Sequence, residues 1–127
     1  MSRMYELVLL LALLSPSGTR TTELTLICNG ELKIGSSETE PLTHMTIGVN
    51  LTSKIVSGFD VVANIYKSDD TYIAFKGRST IGKTDNVLFI EGTIDRITGA
   101  VSTTTFVNRS NTAKQVISEW HLTCLIY

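Results

Sequence analysis

Trp120-His121-Leu122-Thr123-Cys124-Leu125-Ile126-Tyr127 closes the chain with Trp120, Leu122, Cys124 and Ile126 at every second position. Leu24-Thr25-Leu26-Ile27-Cys28 repeats the pattern near the other end, with Leu24, Leu26 and Cys28 in phase. A two-residue period puts alternate side chains on one face of a strand. Each cysteine therefore points the same way as its strand's largest apolar side chains, toward a core. A Cys28–Cys124 disulfide joining the first and last strands is expected, worth about 4–5 kcal/mol in the chain-entropy account. The competing reading is two separate buried thiols, because free cysteine is itself a small apolar side chain.

Working inward from these ends, the chain reads as strands. Residues 42–51 alternate, with Met45, Ile47, Val49 and Leu51 on one side and His44, Thr46 and Asn50 on the other. Residues 59–66, a turn at Ser68-Asp69-Asp70 and Tyr72-Ile73-Ala74-Phe75 read as a hairpin. Residues 87–94 form a further strand in which Gly92 marks a bulge or a close backbone approach. Residues 100–107 return after a hairpin loop, and 114–127 form the last strand. Punctuation is expected at Asn29-Gly30, 35–41, Ser57-Gly58, 67–70, 77–86, 96–99 and 108–112. The expectation is an all-β fold: a single antiparallel β-sandwich or small β-barrel of about seven or eight strands.

The N-terminus reads as an address. Arg3 precedes the apolar run Leu7-Val8-Leu9-Leu10-Leu11-Ala12-Leu13-Leu14, and Ser15-Pro16-Ser17-Gly18 follows. A positive start, a short apolar stretch and a small-residue exit describe a secretory signal peptide, although Glu6 is unusual there. Residues 1–17 are expected to leave, with 18–127 as the all-β domain. The compartment is then periplasmic or extracellular, and oxidising conditions favour the disulfide over free thiols.

With 11 Lys+Arg against 12 Asp+Glu, the chain lacks the positive field that binding nucleic acid needs. No apolar run approaches the roughly 20 residues that span a bilayer, so no transmembrane segment is expected in the mature form. No cofactor is expected. No metal site is either: there is no C-x-x-C, and His44 and His121 are the only histidines.

Gly77-Arg78-Ser79-Thr80-Ile81-Gly82-Lys83-Thr84 matches G-x-x-x-x-G-K-[ST] at every defined position. In a nucleotide-binding loop of this pattern the backbone amides cradle phosphates and a following helix N-terminus completes the site. Here Asp85-Asn86 leads instead into Val87-Leu88-Phe89-Ile90, a strand. The match therefore reads as a hairpin loop, leaving Gly77, Arg78, Gly82, Lys83 and Thr84 as a candidate site for a small anion. Asn50-Leu51-Thr52 and Asn108-Arg109-Ser110 are formal glycosylation sequons, meaningful only in a eukaryotic secretory setting.

Gly92-Thr93-Ile94-Asp95-Arg96-Ile97-Thr98-Gly99 reads as a tight hairpin in which Asp95 and Arg96 pair or bond the loop backbone and Gly99 takes a positive φ. This stretch, the Leu26-Ile27-Cys28-Asn29-Gly30 start and the Leu122-Thr123-Cys124 close together resemble small uncharacterised exported bacterial β-proteins. Those carry a G-x-I-D-R-x-T-G stretch between two terminal cysteines. The exported start is a further part of the likeness, the hairpin role of Gly92, Asp95, Arg96 and Gly99 is read from the residues themselves, and the resemblance brings no activity with it.

No nucleophile–base or metal constellation is visible, so an enzyme is the least favoured class. The preferred reading is an exported, non-catalytic binding or interaction protein, its partner an unidentified protein or small molecule. Its signature would be a cavity lined by residues such as Phe59, Tyr66, Phe75 and Phe89. The alternative is a structural, envelope-associated protein without a small ligand, marked by a filled interior and a flat apolar patch.

Overall fold

Alternating apolar side chains can be buried only if a sheet packs on another layer or curls onto itself, and this chain does the second. The computed structural model describes residues 22–35, 38–80, 87–108 and 115–127. Its strands are β1 (Glu23–Ile34), β2 (Glu38–Asn50), β3 (Ile55–Ser57), β4 (Ala63–Ser68), β5 (Tyr72–Thr80), β6 (Val87–Asp95), β7 (Ala100–Asn108) and β8 (Gln115–Ile126). Each strand runs antiparallel to the next, and β8 pairs with β1 to close the barrel. The fold is thus all-β, and of the two architectures expected it is the barrel. The leader, residues 1–17, lies outside the described residues.

The interior is mainly apolar. Leu26, Ile47, Ile73, Phe75, Ile90 and Ile94 are fully buried, and Cys28 and Cys124 lie among them. The outer wall is polar, with one row crossing five strands as Lys76, Glu91, Thr104, Glu119 and Lys33, each opposite the next. Opposite charges facing across a ladder support the sheet by a few tenths of a kcal/mol each. The turns after β2, β4 and β6 lie at one end of the barrel, called here the lower end. The connection between β3 and β4, residues 58–62, crosses the other, upper end.

Several expected breaks lie inside strands, and one expected strand is interrupted. Asn29-Gly30 sits within β1, where a side chain at Gly30 would overlap the His121 carbonyl of β8, so glycine serves close packing rather than a turn. The irregularity falls instead on β2: Cys28 faces Met45 but Gly30 faces Leu42. His44 takes a φ of 54° there, and its N–H donates to Asn29 Oδ1 at 3.0 Å. Pro41, expected in a loop, is inside β2. It is tolerated because β3 meets β2 only at Gly48–Asn50, so the upper half of β2 has a free edge where a missing N–H costs nothing. Pro41, Glu38 and Glu40 also blunt that edge against pairing with other chains.

Gly77 and Arg78, expected to open a loop, lie within β5, which stays paired with β6 as far as Thr80↔Val87. A Cβ at Gly77 would stand 2.6 Å from the Val62 carbonyl, so this glycine too lets backbone approach. Residues 59–66 do not form one strand: β4 begins at Ala63, and residues 58–62 bend across the upper end, Gly58 having a φ of 114°.

Candidate functional site

Strands β1 and β8 bring the two cysteines face to face. Cys28 is directly opposite Cys124 in the closing ladder, with Cα atoms 4.0 Å apart and the side chains joined as a disulfide. The Cys124 N–H turns away to the Gly99 carbonyl at 2.8 Å. The pair is therefore the narrow, non-hydrogen-bonded kind, in which side chains approach most closely. Its sulfurs fasten the seam where the sheet closes.

The Gly92-to-Gly99 stretch is used up by architecture. Gly92 faces inward opposite Phe75, and any side chain there would overlap the Phe75 ring. Gly92 is therefore neither of the two features expected: β6 has no register break at that point, and the atoms that crowd it are the Phe75 ring and the Thr103 hydroxyl rather than another backbone. Asp95 Oδ1 accepts from the N–H groups of Ile97 at 2.8 Å and Thr98 at 3.0 Å, and the Gly99 N–H donates to the Asp95 carbonyl at 2.8 Å. Gly99 has a φ of 80° and packs on the Cys124 carbonyl. Arg96 does not pair with Asp95. Its Nη1 donates to the Asp69 carbonyl at 2.8 Å and its N–H to the Thr71 carbonyl at 2.9 Å, tying the β6–β7 turn to the β4–β5 turn. Asp69 Oδ1 in turn accepts from the N–H and hydroxyl of Thr71, both at 2.8 Å.

These bonds favour the ionised carboxylates. Asp95 is held below the ordinary carboxylate value by the Thr98 and Ile97 backbone N–H groups, and Asp69 chiefly by the Thr71 hydroxyl. A lowered native pKa adds stability that is present above the ordinary value of 3.8 and is lost as pH falls through the native value. Urea midpoints should therefore hold from neutral pH down to about 5 and fall below about 4. The Asp69→Asn/Asp95→Asn double variant, which keeps both acceptors but cannot ionise, should lose less across that window. An equal loss in both proteins would contradict the assignment.

The upper end is different. Residues 58–62 carry Phe59 and Val61 into the barrel mouth. The Phe59 ring stands edge-on to Trp120, centroids 5.2 Å apart, and stacks on Phe75 at 5.8 Å. Beside these rings the inner wall of β7 and β8 is polar. Thr103 faces Trp120 and Thr105 faces Ser118, and all four are buried. Thr105 Oγ1 and Ser118 Oγ hydrogen-bond each other. Thr103 Oγ1 and Trp120 Nε1 have no partner, although Thr103 is 1% exposed and Trp120 7%. A buried hydroxyl or indole N–H without a partner costs about 1–3 kcal/mol, so such a pair calls for an explanation.

The expected ligand-lining set is split by the wall. Phe59 and Phe75 are inside, while Tyr66 and Phe89 are outside. Lys76 Nζ sits 4.9 Å from the Tyr66 ring centroid, and Phe89 stacks on Phe106 at 5.2 Å. Gly77 and Arg78 line a groove of about 460 Å³ on the outer face with Val62, Asn64, Lys76 and Phe89. Gly82, Lys83 and Thr84, the rest of the candidate anion loop, lie outside the described residues. Asn50 is drawn into its own turn: Oδ1 accepts from the N–H groups of Thr52 and Ser53 at 3.0 and 2.9 Å, and Nδ2 donates to Glu23 at 3.2 Å. His44 and His121 are both on the surface. Among the described residues no three His, Cys, Asp or Glu side chains converge as metal ligands.

Thr103, Thr105 and Ser118 were not singled out by the sequence. Their only signal is phase: Thr103 and Thr105 alternate with Val101 and Val107, and Ser118 with Trp120 and Leu122. Comparison with known protein families, curated proteins and solved structures finds no match to this chain.

Proposed function

We propose that the chain is an exported, non-catalytic binding protein whose ligand is a small molecule held in the upper half of the barrel. The observation that carries the binding half is the unpartnered pair, Thr103 Oγ1 and Trp120 Nε1, on the inner wall. A core built only for stability would place apolar groups there. Export is supported by the Cys28–Cys124 bond, which persists in oxidising compartments, and by the signal-like start of the sequence. A mainly apolar interior within a mainly polar outer wall also suits a barrel surrounded by water, the reverse of the lipid-facing arrangement.

A second reading is an envelope-associated structural protein without a small ligand. The packing of Phe59 against Phe75 and Trp120, which fills the mouth, favours it. Both readings require export. Expressed from its full gene, the protein should appear outside the cytoplasm about 17 residues short of full length. Its mass under non-reducing conditions should be two protons below that of the dithiol. A cytoplasmic chain retaining Met1 and two free thiols would contradict both readings.

A further inference from the structure

We infer that Phe59 is a built-in plug. The site beneath it takes a small, mainly apolar molecule carrying one hydrogen-bond-accepting oxygen, an alcohol or a ketone. The inference rests on the barrel-binding function proposed above and names its ligand class and its gate.

The donor inventory sets the class. Indole Nε1–H can only donate, and a threonine hydroxyl donates or accepts. Thr103 and Trp120 are directly opposite on the inward face of one ladder, and each leaves its polar atom without a partner. Thr105 and Ser118, the next inward pair, bond each other and leave the Thr103–Trp120 pair as the open one. A carbonyl oxygen can accept from the indole or from the threonine hydroxyl, and an alcohol oxygen can accept from the indole or exchange a bond with the threonine. An anion is a poor fit, because no cationic side chain is buried in the barrel interior among the described residues. The surroundings are otherwise apolar, with Phe59, Phe75 and the aliphatic core. The rest of the ligand should therefore be hydrocarbon.

The gate follows from how lightly residues 58–62 are held. β3 has three residues and meets β4 through two register pairs, Ile55↔Asn64 and Val56↔Ala63. Gly58, at φ 114°, fits closely over the Thr46 carbonyl and is the point about which the segment turns. Phe59 is the most exposed of the buried apolar side chains, at 9%. Outward rotation of this segment removes one aromatic ring from beside Trp120, and a ligand of similar size replaces it.

Trp120 is the only tryptophan, so its indole N–H gives a single nitrogen–proton resonance that reports on this patch alone. The test titrates the oxidised full-length mature chain with benzyl alcohol and with ethylbenzene, which match in shape and differ in one oxygen. Benzyl alcohol should move the indole signal and bind at least about tenfold more tightly than ethylbenzene. Phe59→Ala should strengthen benzyl alcohol binding about tenfold, since the probe no longer competes with the plug. Thr103→Val, a near-isosteric change, should shrink the preference for the alcohol to about threefold or less. If Phe59→Ala does not fold, Phe59→Leu serves, with a smaller gain in the same direction.

Equal binding of both probes in the Phe59 variant would overturn the oxygen-bearing class while leaving a barrel-binding function standing. If neither probe moves the indole signal in the wild type or in the folded Phe59 variant, the inference and the proposed function both fall. An indole N–H that contacts a long-lived water and ignores both probes would identify a structural water site and overturn the inference in the same way.

Discussion

Replacing Cys28 and Cys124 together with alanine is expected to lower the stability of the mature barrel by about 4–5 kcal/mol. The bond spans 96 positions, so in the unfolded chain it restrains almost everything between the first and last strands. For a domain of this size that loss corresponds to a drop of about 15–25 °C in the thermal midpoint. Folding itself should survive, because nine register pairs between β1 and β8, from Leu26↔Ile126 to Ile34↔Ser118, still define the seam. Alanine is the right replacement: serine would leave hydroxyls in a site that is fully buried at Cys28 and nearly so at Cys124. Thermal unfolding of both proteins under non-reducing conditions makes the measurement. A difference below about 1 kcal/mol would mean that the bond does not restrain the unfolded chain as the entropic account requires.

The second large effect belongs to Gly99. Its φ of 80° lies in the region that side-chain-bearing residues avoid, and an added Cβ would overlap the Cys124 carbonyl oxygen. Gly99→Ala therefore combines backbone strain with a collision against main chain that cannot rotate away. The expected cost is about 3–4 kcal/mol. Gly35 supplies the control, because its φ is 64° but nothing lies within 4 Å of the added Cβ. Gly35→Ala should cost only the strain, about 1 kcal/mol. Urea denaturation of the two single variants separates the terms, and equal costs would show that the β6–β7 turn is not pressed against β8 as described.

The antiparallel, all-β architecture follows from residues whose neighbours along the chain already define them, whereas closure into a barrel rather than a sandwich depends on β8 meeting β1. Trp120, Leu122 and Cys124 alternate cleanly, as do Leu24, Leu26 and Cys28, and both sets face the interior. Asp95 and Gly99 mark their turn by local chemistry, a carboxylate that caps its own loop and a glycine with positive φ. Expectations fail where distant chain decides. Gly30 and Gly77 look like turn residues, but each is small because backbone from another element approaches it, His121 at one and Val62 at the other. Pro41 looks like a strand end, yet the shortness of β3 leaves it a free edge to occupy.

Residues 59–66 show a subtler case. The inward phase of Phe59, Val61, Ala63 and Ile65 is real, and all four are buried. The alternation nevertheless runs through a bend before it reaches β4, so the period gave the face and not the element. The polar patch is still harder to read. Thr103 and Thr105 belong to a threonine-rich strand in which every second residue faces inward, and nothing in the sequence says that their partners are Trp120 and Ser118. Hydrogen-bond satisfaction is a property of the closed barrel and becomes visible only there.

Everything rests on β8 lying directly against β1 with the two cysteines opposite one another. In a narrow antiparallel pair the two Hα atoms point at each other across a short gap. A through-space proton spectrum of the oxidised protein should contain a strong cross-peak between Cys28 Hα and Cys124 Hα, with a matching contact between Gly30 Hα and Leu122 Hα two positions along the same ladder. Absence of both, with β1 showing contacts to β2 alone, would describe an open sheet and contradict the account.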